Sequence, residues 1–211
     1  MKRYNAILLQ YLALISLMFL VSCGGGGGSN TPPPASAPAM QQIWKNGTTG
    51  IWFGNTLTPQ AVFGNVTLSN VALTDNITGD TTTLRLTTSL PGTINASGLG
   101  MNFTTSVGQN ASSYYSTGHL QFNIRLEKVP APLYDTLTVS YGSDIYNQGA
   151  YTIDMSTLST SIFTHISIPI SLFNANKSSN VAMPFRLTLN QGFINNNQAM
   201  ATLNDIKWTE N

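Results

Sequence analysis

From Gln41 to Asn211, apolar and polar residues alternate in short runs punctuated by Gly, Pro, Asn and Asp. That two-residue period is the mark of half-buried strands. In His119 to Leu126, Leu120, Phe122, Ile124 and Leu126 share one face, and His119, Gln121, Asn123 and Arg125 share the other. Thr83 to Thr87 sets Leu84 and Leu86 against Thr83, Arg85 and Thr87. Thr136 to Tyr141 aligns Leu137, Val139 and Tyr141, and Thr164 to Ile170 aligns Ile166, Ile168 and Ile170. Phe185, Leu187 and Leu189 form a further stripe opposed by Arg186, Thr188 and Asn190. Val62 to Leu68, Val71 to Thr74, Leu99 to Thr105 and Ala201 to Trp208 complete eight or nine predicted strands. No stretch carries a convincing helical period. Each strand has one apolar face, so two sheets must pack together, and the pattern predicts an all-β, two-sheet sandwich.

The first 22 residues have a different pattern. Lys2 and Arg3 precede a nearly unbroken apolar run, Ala6 to Val21. At about 1.5 Å per residue this run spans about 24 Å, short of the roughly 30 Å of a bilayer core, so it reads as the apolar part of a signal peptide. It ends in Leu20-Val21-Ser22-Cys23-Gly24, which resembles a bacterial lipobox. The chain's only cysteine stands where that signal places the lipid. The expected organisation is a signal peptide over 1–22, a lipidated (palmitate-bearing) Cys23 with a Gly- and Pro-rich tether over 23–40, and a β-domain over 41–211. Gly24 carries no retention charge, so the expected location is the outer membrane of a bacterial envelope, on its periplasmic or surface side, held by acyl chains rather than by a spanning helix.

Composition narrows the function. Only 8% of residues are charged, against roughly a quarter in an average protein, and the formal net charge is +1. Polarity comes instead from 26 Thr, 20 Ser and 21 Asn. Such a surface has no basic patch to neutralise phosphates, which excludes nucleic acid as a partner. A single cysteine excludes a disulfide framework and a multi-cysteine zinc site. Glu127, Asp135, Asp144, Asp154 and Asp205 show no spacing that pairs two carboxylates across a cleft, and there is no Gly-x-Ser-x-Gly elbow, so no enzymatic activity is expected.

The order of the strands supplies a resemblance. Gly118-His-Leu-Gln-Phe-Asn-Ile-Arg-Leu126 is followed by Leu137-Thr-Val-Ser-Tyr-Gly142 and His165-Ile-Ser-Ile-Pro-Ile-Ser-Leu-Phe173. Met183-Pro-Phe-Arg-Leu187 and Leu203-Asn-Asp-Ile-Lys-Trp208 close the series. This resembles the galactose-binding-like jelly rolls that serve as carbohydrate-binding modules, and above all the module ending ExoP-type bacterial exo-β-glucanases. The family's paired cysteines and its attached glycosidase are absent from this chain.

The resemblance implies a non-catalytic module that takes a neutral polysaccharide on the outer face of a sheet. Gln121, Asn123, Arg125, Arg186, Thr188 and Asn190 are the residues expected on that face. Arg125 and Arg186 are the sharpest of these, because the chain after Cys23 holds only three arginines. Among aromatics, Tyr141 and Trp208 fall on strands, where sugar contact and core packing both stay open. Tyr114, Tyr115 and Tyr146 fall in polar stretches that suit loop tips. Trp44 and Trp52 are expected to cap the sandwich edge. No cofactor is expected; related jelly rolls often carry a structural calcium held in part by an acidic residue on the last strand, a position that Asp205 matches. The alternative function is a structural or protein-interaction envelope lipoprotein without a sugar site.

Overall fold

Branched and apolar side chains on alternate positions drive the chain into two packed sheets, as seen in a computed structural model. The chain divides into two units, 1–35 and 36–211. The structure describes residues 40–62, 66–88, 99–128, 136–189 and 200–210, all in the second unit. The described residues of the hydrophobic core run from Ile43 to Trp208, so this unit carries its own core. No described helix is long and apolar enough to cross a membrane.

One sheet has seven strands. It is built from β1 (Met40–Lys45), β2 (Thr48–Thr49), β6 (Val66–Ala72), β7 (Thr82–Thr88), β9 (Gly118–Lys128), β12 (Thr164–Pro169) and β14 (Met200–Glu210). The other has five, in the order β11 (Gln148–Asp154), β10 (Thr136–Gly142), β13 (Met183–Leu189), β8 (Leu99–Thr104) and β5 (Thr58–Val62). A short hairpin, β3 (Ile51–Trp52) with β4 (Asn55–Thr56), stands apart. The sandwich of jelly-roll type is therefore present, with more strands than expected. Eleven of the described strands have five residues or more. The predicted strand over Val62 to Leu68 is instead the end of β5 and the start of β6. The expected all-strand domain also contains, among the described residues, a turn of α-helix, α1 (Tyr114–Thr117), and two 3-10 turns, Met155–Thr157 and Ile170–Leu172.

The centre of the seven-stranded sheet is β14. It pairs with β9 along one side, and on the other it pairs first with β7 and then with β1. The changeover is a bulge between Asn204 and Lys207, where Asp205 has a φ of 48°. Left-handed backbone at a non-glycine residue is costly, and bulges are where sheets accept it. The turn joining β1 and β2 is Asn46-Gly47, with φ of 46° and 81°, the combination that matches the twist of a tight hairpin. Asn46 then stitches the junction. Its amide donates to Asn204 Oδ1 at 3.1 Å, and its Oδ1 accepts from the Thr82 amide at 3.0 Å.

The two sheets are joined by aromatic rings. Trp208 is buried, with ring centroids 5.1 Å from Trp52, 5.6 Å from Tyr114 and 5.0 Å from Tyr141, each in an edge-on arrangement. Its indole N–H donates to the Pro184 carbonyl of the opposite sheet at 3.0 Å. Trp52 is fully buried and donates to the Val181 carbonyl at 3.1 Å; Trp44 is also buried. The expectation that Trp44 and Trp52 cap an edge is corrected: both are core residues. Trp44 sits on a strand that pairs with the central β14, and Trp52 packs on Trp208. Replacing Trp208 by Phe removes the inter-sheet hydrogen bond and leaves a void. The expected loss is about 2–4 kcal/mol of unfolding free energy in urea titrations, with unchanged far-ultraviolet circular dichroism of the native state.

Candidate functional site

Alternation along β9 points Leu120, Phe122, Ile124 and Leu126 into the core, and turns Gln121, Asn123 and Arg125 to the outside of the seven-stranded sheet. Alternation along β13 buries Phe185, Leu187 and Leu189 and turns Arg186 and Thr188 to the outside of the five-stranded sheet. β9 and β13 belong to different sheets. The expected single face is therefore divided between the two outer surfaces of the sandwich. Asn190 lies outside the described residues.

The seven-stranded face is filled by the chain itself. The connection from β6 to β7 lays Asp75 over Asn123 of β9 and Asn204 of β14. Asp75 Oδ2 accepts from Asn123 Nδ2 at 2.8 Å and from Asn204 Nδ2 at 2.9 Å. Asp75 Oδ1 accepts from the Ile77 amide at 2.8 Å, and Thr78 Oγ1 reaches Asp75 Oδ2 at 3.1 Å. His165 Nδ1 lies 2.8 Å from Asn123 Oδ1. Asn76 of the same connection accepts from the Phe163 amide at 2.7 Å. Arg125 donates to the Thr160 carbonyl at 3.2 Å. Asn123 is thus a fully buried clamp for a loop, and Arg125 holds the chain entering β12.

The five-stranded face has a different character. Cross-strand pairing sets Ala150, Ser140, Arg186, Asn102 and Gln60 side by side from one edge to the other. Gln60 at one edge is exposed, whereas Ser140, Arg186 and Asn102 between the edges are buried. Ser140 Oγ donates to Gln148 Oε1 at 2.8 Å. A register shift between β10 and β13 brings Met183 opposite Gly142 on this same side, and Asn102 Nδ2 meets its sulfur at 3.8 Å. Asn102 Oδ1 is buried and finds no partner among the described residues. Thr138 and Thr188 form the next row. Burial lowers the Arg186 guanidinium from its ordinary value, yet an arginine remains charged throughout the accessible range. The described face is therefore built of amides, hydroxyls, a thioether and one cation, with its central members buried.

Of the two roles open to Tyr141, sugar contact and core packing, the structure gives core packing. It is fully buried, 4.9 Å from Phe173 and 5.0 Å from Trp208, and burial pushes its hydroxyl above the usual tyrosine value. Tyr114 is likewise in the core rather than at a loop tip; burial, with the nearby Glu210, pushes it up to about 12. Tyr115 is partly buried against the core. Tyr146, at 92% exposure, does stand on a tip, between β10 and β11. Its turn is held by Asp144 Oδ1, which accepts from the Tyr146 and Asn147 amides at 2.7 and 2.9 Å.

Calcium does not fit at Asp205. Its carboxylate faces Lys207 Nζ at 2.5 Å and takes Gln42 Nε2 at 3.5 Å, so an ammonium already neutralises it. No group of three or more His, Cys, Asp or Glu converges among the described residues. The carboxylates considered for hydrolysis have local tasks. Glu127 forms a two-pronged pair with Arg85 at 3.0 and 2.6 Å, and Asp144 and Asp154 bond the amides of their own turns. Asp135 lies outside the described residues.

This geometry is a two-sheet β-sandwich of jelly-roll type, a fold it shares with carbohydrate-binding modules of known structure. No family model and no curated protein matches the chain. Among solved structures it is similar to a family 30 carbohydrate-binding module, with a TM-score of 0.53, 16% identity, and coverage of 82% of this chain and 99% of that one. The family 30 module of a cellulosomal cellulase of Clostridium thermocellum gives a TM-score of 0.54 at 18% identity, covering 81% and 97%. The extra C-terminal domain of the exo-1,3/1,4-β-glucanase ExoP from a Pseudoalteromonas species also matches, with a TM-score of 0.46 at 14% identity, covering 82% and 87%.

The loop over the seven-stranded face makes a prediction about acid stability. Burial alone would raise the Asp75 carboxyl, but hydrogen bonds from Asn204, Asn123, the Ile77 amide and Thr78 outweigh it and hold it below 3.8. A depressed carboxylate contributes stability that is complete above its unfolded value and is lost as pH falls through the lower folded value. Asp75→Asn is expected to be less stable than the parent at pH 7. The difference should shrink as pH drops below about 4, read from thermal melts across pH.

Proposed function

We propose that the chain is a non-catalytic glycan-binding lipoprotein, and that the outer face of the five-stranded sheet receives a neutral polysaccharide. The observation that carries this reading is the row of polar side chains Ser140, Arg186 and Asn102, buried in the middle of the sheet and flanked by Gln60, Gln148, Thr138 and Thr188. A neutral sugar is recognised by directional hydrogen bonds, and amides and hydroxyls set across adjacent strands supply donors and acceptors at the spacing of a sheet. The cation contributes through its fork of donors. The opposite face is closed by the chain's own Asp75 loop, which directs the proposal to this side. The similarity to carbohydrate-binding modules supports the same reading.

The test is affinity electrophoresis and a glycan array with the 36–211 unit. Arg186→Ala and Asn102→Ala are expected to weaken retention by about tenfold or more, the effect of one or two lost hydrogen bonds. Arg125→Ala, on the other sheet, should leave it unchanged. Loss of binding in Arg125→Ala with retention in Arg186→Ala would move the site to the other face. Absence of binding to every neutral glycan by a folded protein would overturn the function.

Anchoring belongs to the same proposal. Cys23 follows an apolar run of signal-peptide length and precedes a Gly- and Pro-rich stretch, which is the arrangement of an acylated cysteine on an extended tether. Expressed in a bacterial host, the full chain is expected to incorporate labelled palmitate and to fractionate with the outer membrane. Cys23→Ser should lose both properties.

A further inference from the structure

Exposed sheet edges invite pairing, and proteins commonly blunt them with charge, proline, bulges or covering chain. Most edges of this sandwich carry such a device. β5 contains Pro59, and β12 contains His165 and ends at Pro169. β2 has only two residues. On β11, Ala150 is already bonded through both backbone groups, to Asn174 Oδ1 at 2.9 Å and from the Asn174 amide at 3.0 Å.

Among the described residues, β6 carries none of them. Its sequence, Val-Thr-Leu-Ser-Asn-Val-Ala, has no charge, proline or glycine. Its seven residues pair with β7 in continuous register, without a bulge. Among the described residues, no strand pairs with its other side. Thr67, Ser69, Asn70 and Ala72 are exposed.

A second feature lies beside this edge. Where β6 and β7 part from β1 and β2, a cleft of about 440 Å³ opens between the sheets. Trp44 and Leu84 are its buried members, with Leu68, Pro59, Thr49 and Asn70 around them, and none of its lining residues is ionisable. Leu68 and Asn70 pair with Leu86 and Leu84, so they point to the inner side of the sheet. A strand added to β6 would set its own inward side chains at the mouth of this cleft. Backbone bonds along an edge, with a pocket for alternate side chains, form the general arrangement of strand addition.

We propose that the occupant is a second copy of this chain, with the two β6 strands antiparallel about a two-fold axis at Ser69. Self-pairing of this strand brings no like charges together, which is what ordinarily keeps two copies of an edge apart. The arrangement is self-complementary, as a two-fold interface must be. Centring on Ser69 puts each Leu68 opposite the other copy's Asn70, at the mouth of the other's cleft, and Ser69 opposite Ser69. Both sheets then join into one.

Sedimentation equilibrium of the 36–211 unit, over about 1 µM to 1 mM, is expected to show a rise from one chain mass to two. Ser69→Lys should weaken association by about tenfold or more. An equal mixture of Ser69→Lys and Ser69→Glu should restore it. The unit lacks Cys23, so Ser69→Cys introduces its only thiol. This variant should form a disulfide-linked dimer on mild oxidation. Thr67→Cys should not, because the register separates the two Thr67 positions by four residues, about 13 Å. A protein monomeric throughout the range would overturn the proposal. So would a dimer indifferent to Ser69→Lys, or equal cross-linking of the two cysteine variants.

Discussion

The bulge in β14 at Asn204 to Lys207 organises the rest of the domain. A single regular strand could pair with one neighbour on each side. By shifting register at Asp205, β14 instead pairs with β7 before the bulge and with β1 after it, on the same side. The irregular backbone must be held, and three polar contacts hold it. Lys207 neutralises Asp205, the Asn46 amide binds Asn204, and Asn204 in turn binds Asp75. The last contact draws the β6–β7 connection across the seven-stranded face. Separation of the strand pairs β1–β2 and β7–β6 opens the inter-sheet cleft. One local departure from regular pairing thus closes one outer face and creates an opening at one edge.

Scarcity of charge takes a definite meaning in this setting. Several of the few charges are consumed in fixing backbone. Asp75 holds a loop, Asp144 and Asp154 hold turns, Asp205 and Lys207 fix the bulge, and Arg85 with Glu127 ties β7 to β9. Arg186 differs, since it is set in the middle of a face built of neutral groups. A buried guanidinium has a large desolvation cost, which its surroundings must offset with directed hydrogen bonds. That makes the five-stranded face the more specialised of the two surfaces.

Strand positions and their inward faces were legible in the sequence because alternation reports burial directly. The stripes on β9, β10 and β13 point inward as their periodicity implies. Alternation distinguishes inside from outside but does not say to which sheet a strand belongs. Arg125 and Arg186 therefore looked like neighbours on one face, while the topology sends β9 and β13 to opposite sheets. β11 was missed because Gln148 to Asp154 has glycine at an inward position, which weakens the stripe to Tyr151 and Ile153. Trp44 and Trp52 were misplaced for another reason. Their stretch is broken by the Asn46-Gly47 and Phe53-Gly54 turns, and only tertiary pairing shows that such short strands reach the core. The contacts of Asp75 with Asn123 and Asn204 span 48 and 129 residues, beyond any local pattern.

A neutral face and a neutral edge follow from the same composition, yet they make opposite demands. A face that reads hydroxyl groups works best without ions that bind water tightly, whereas an edge without ions lacks protection against pairing. The two features lie on different sheets, the face on the five-stranded sheet and β6 on the seven-stranded one. Joining two copies through β6 would extend only the latter and would leave the outer faces of both five-stranded sheets uncovered. Two such surfaces on one assembly turn the second encounter with a repeating polymer into an intramolecular step, which raises avidity without a new contact. If the proposed glycan site is present and each hydrogen bond in it is worth about 1 kcal/mol, that gain is comparable with what several further side chains would supply.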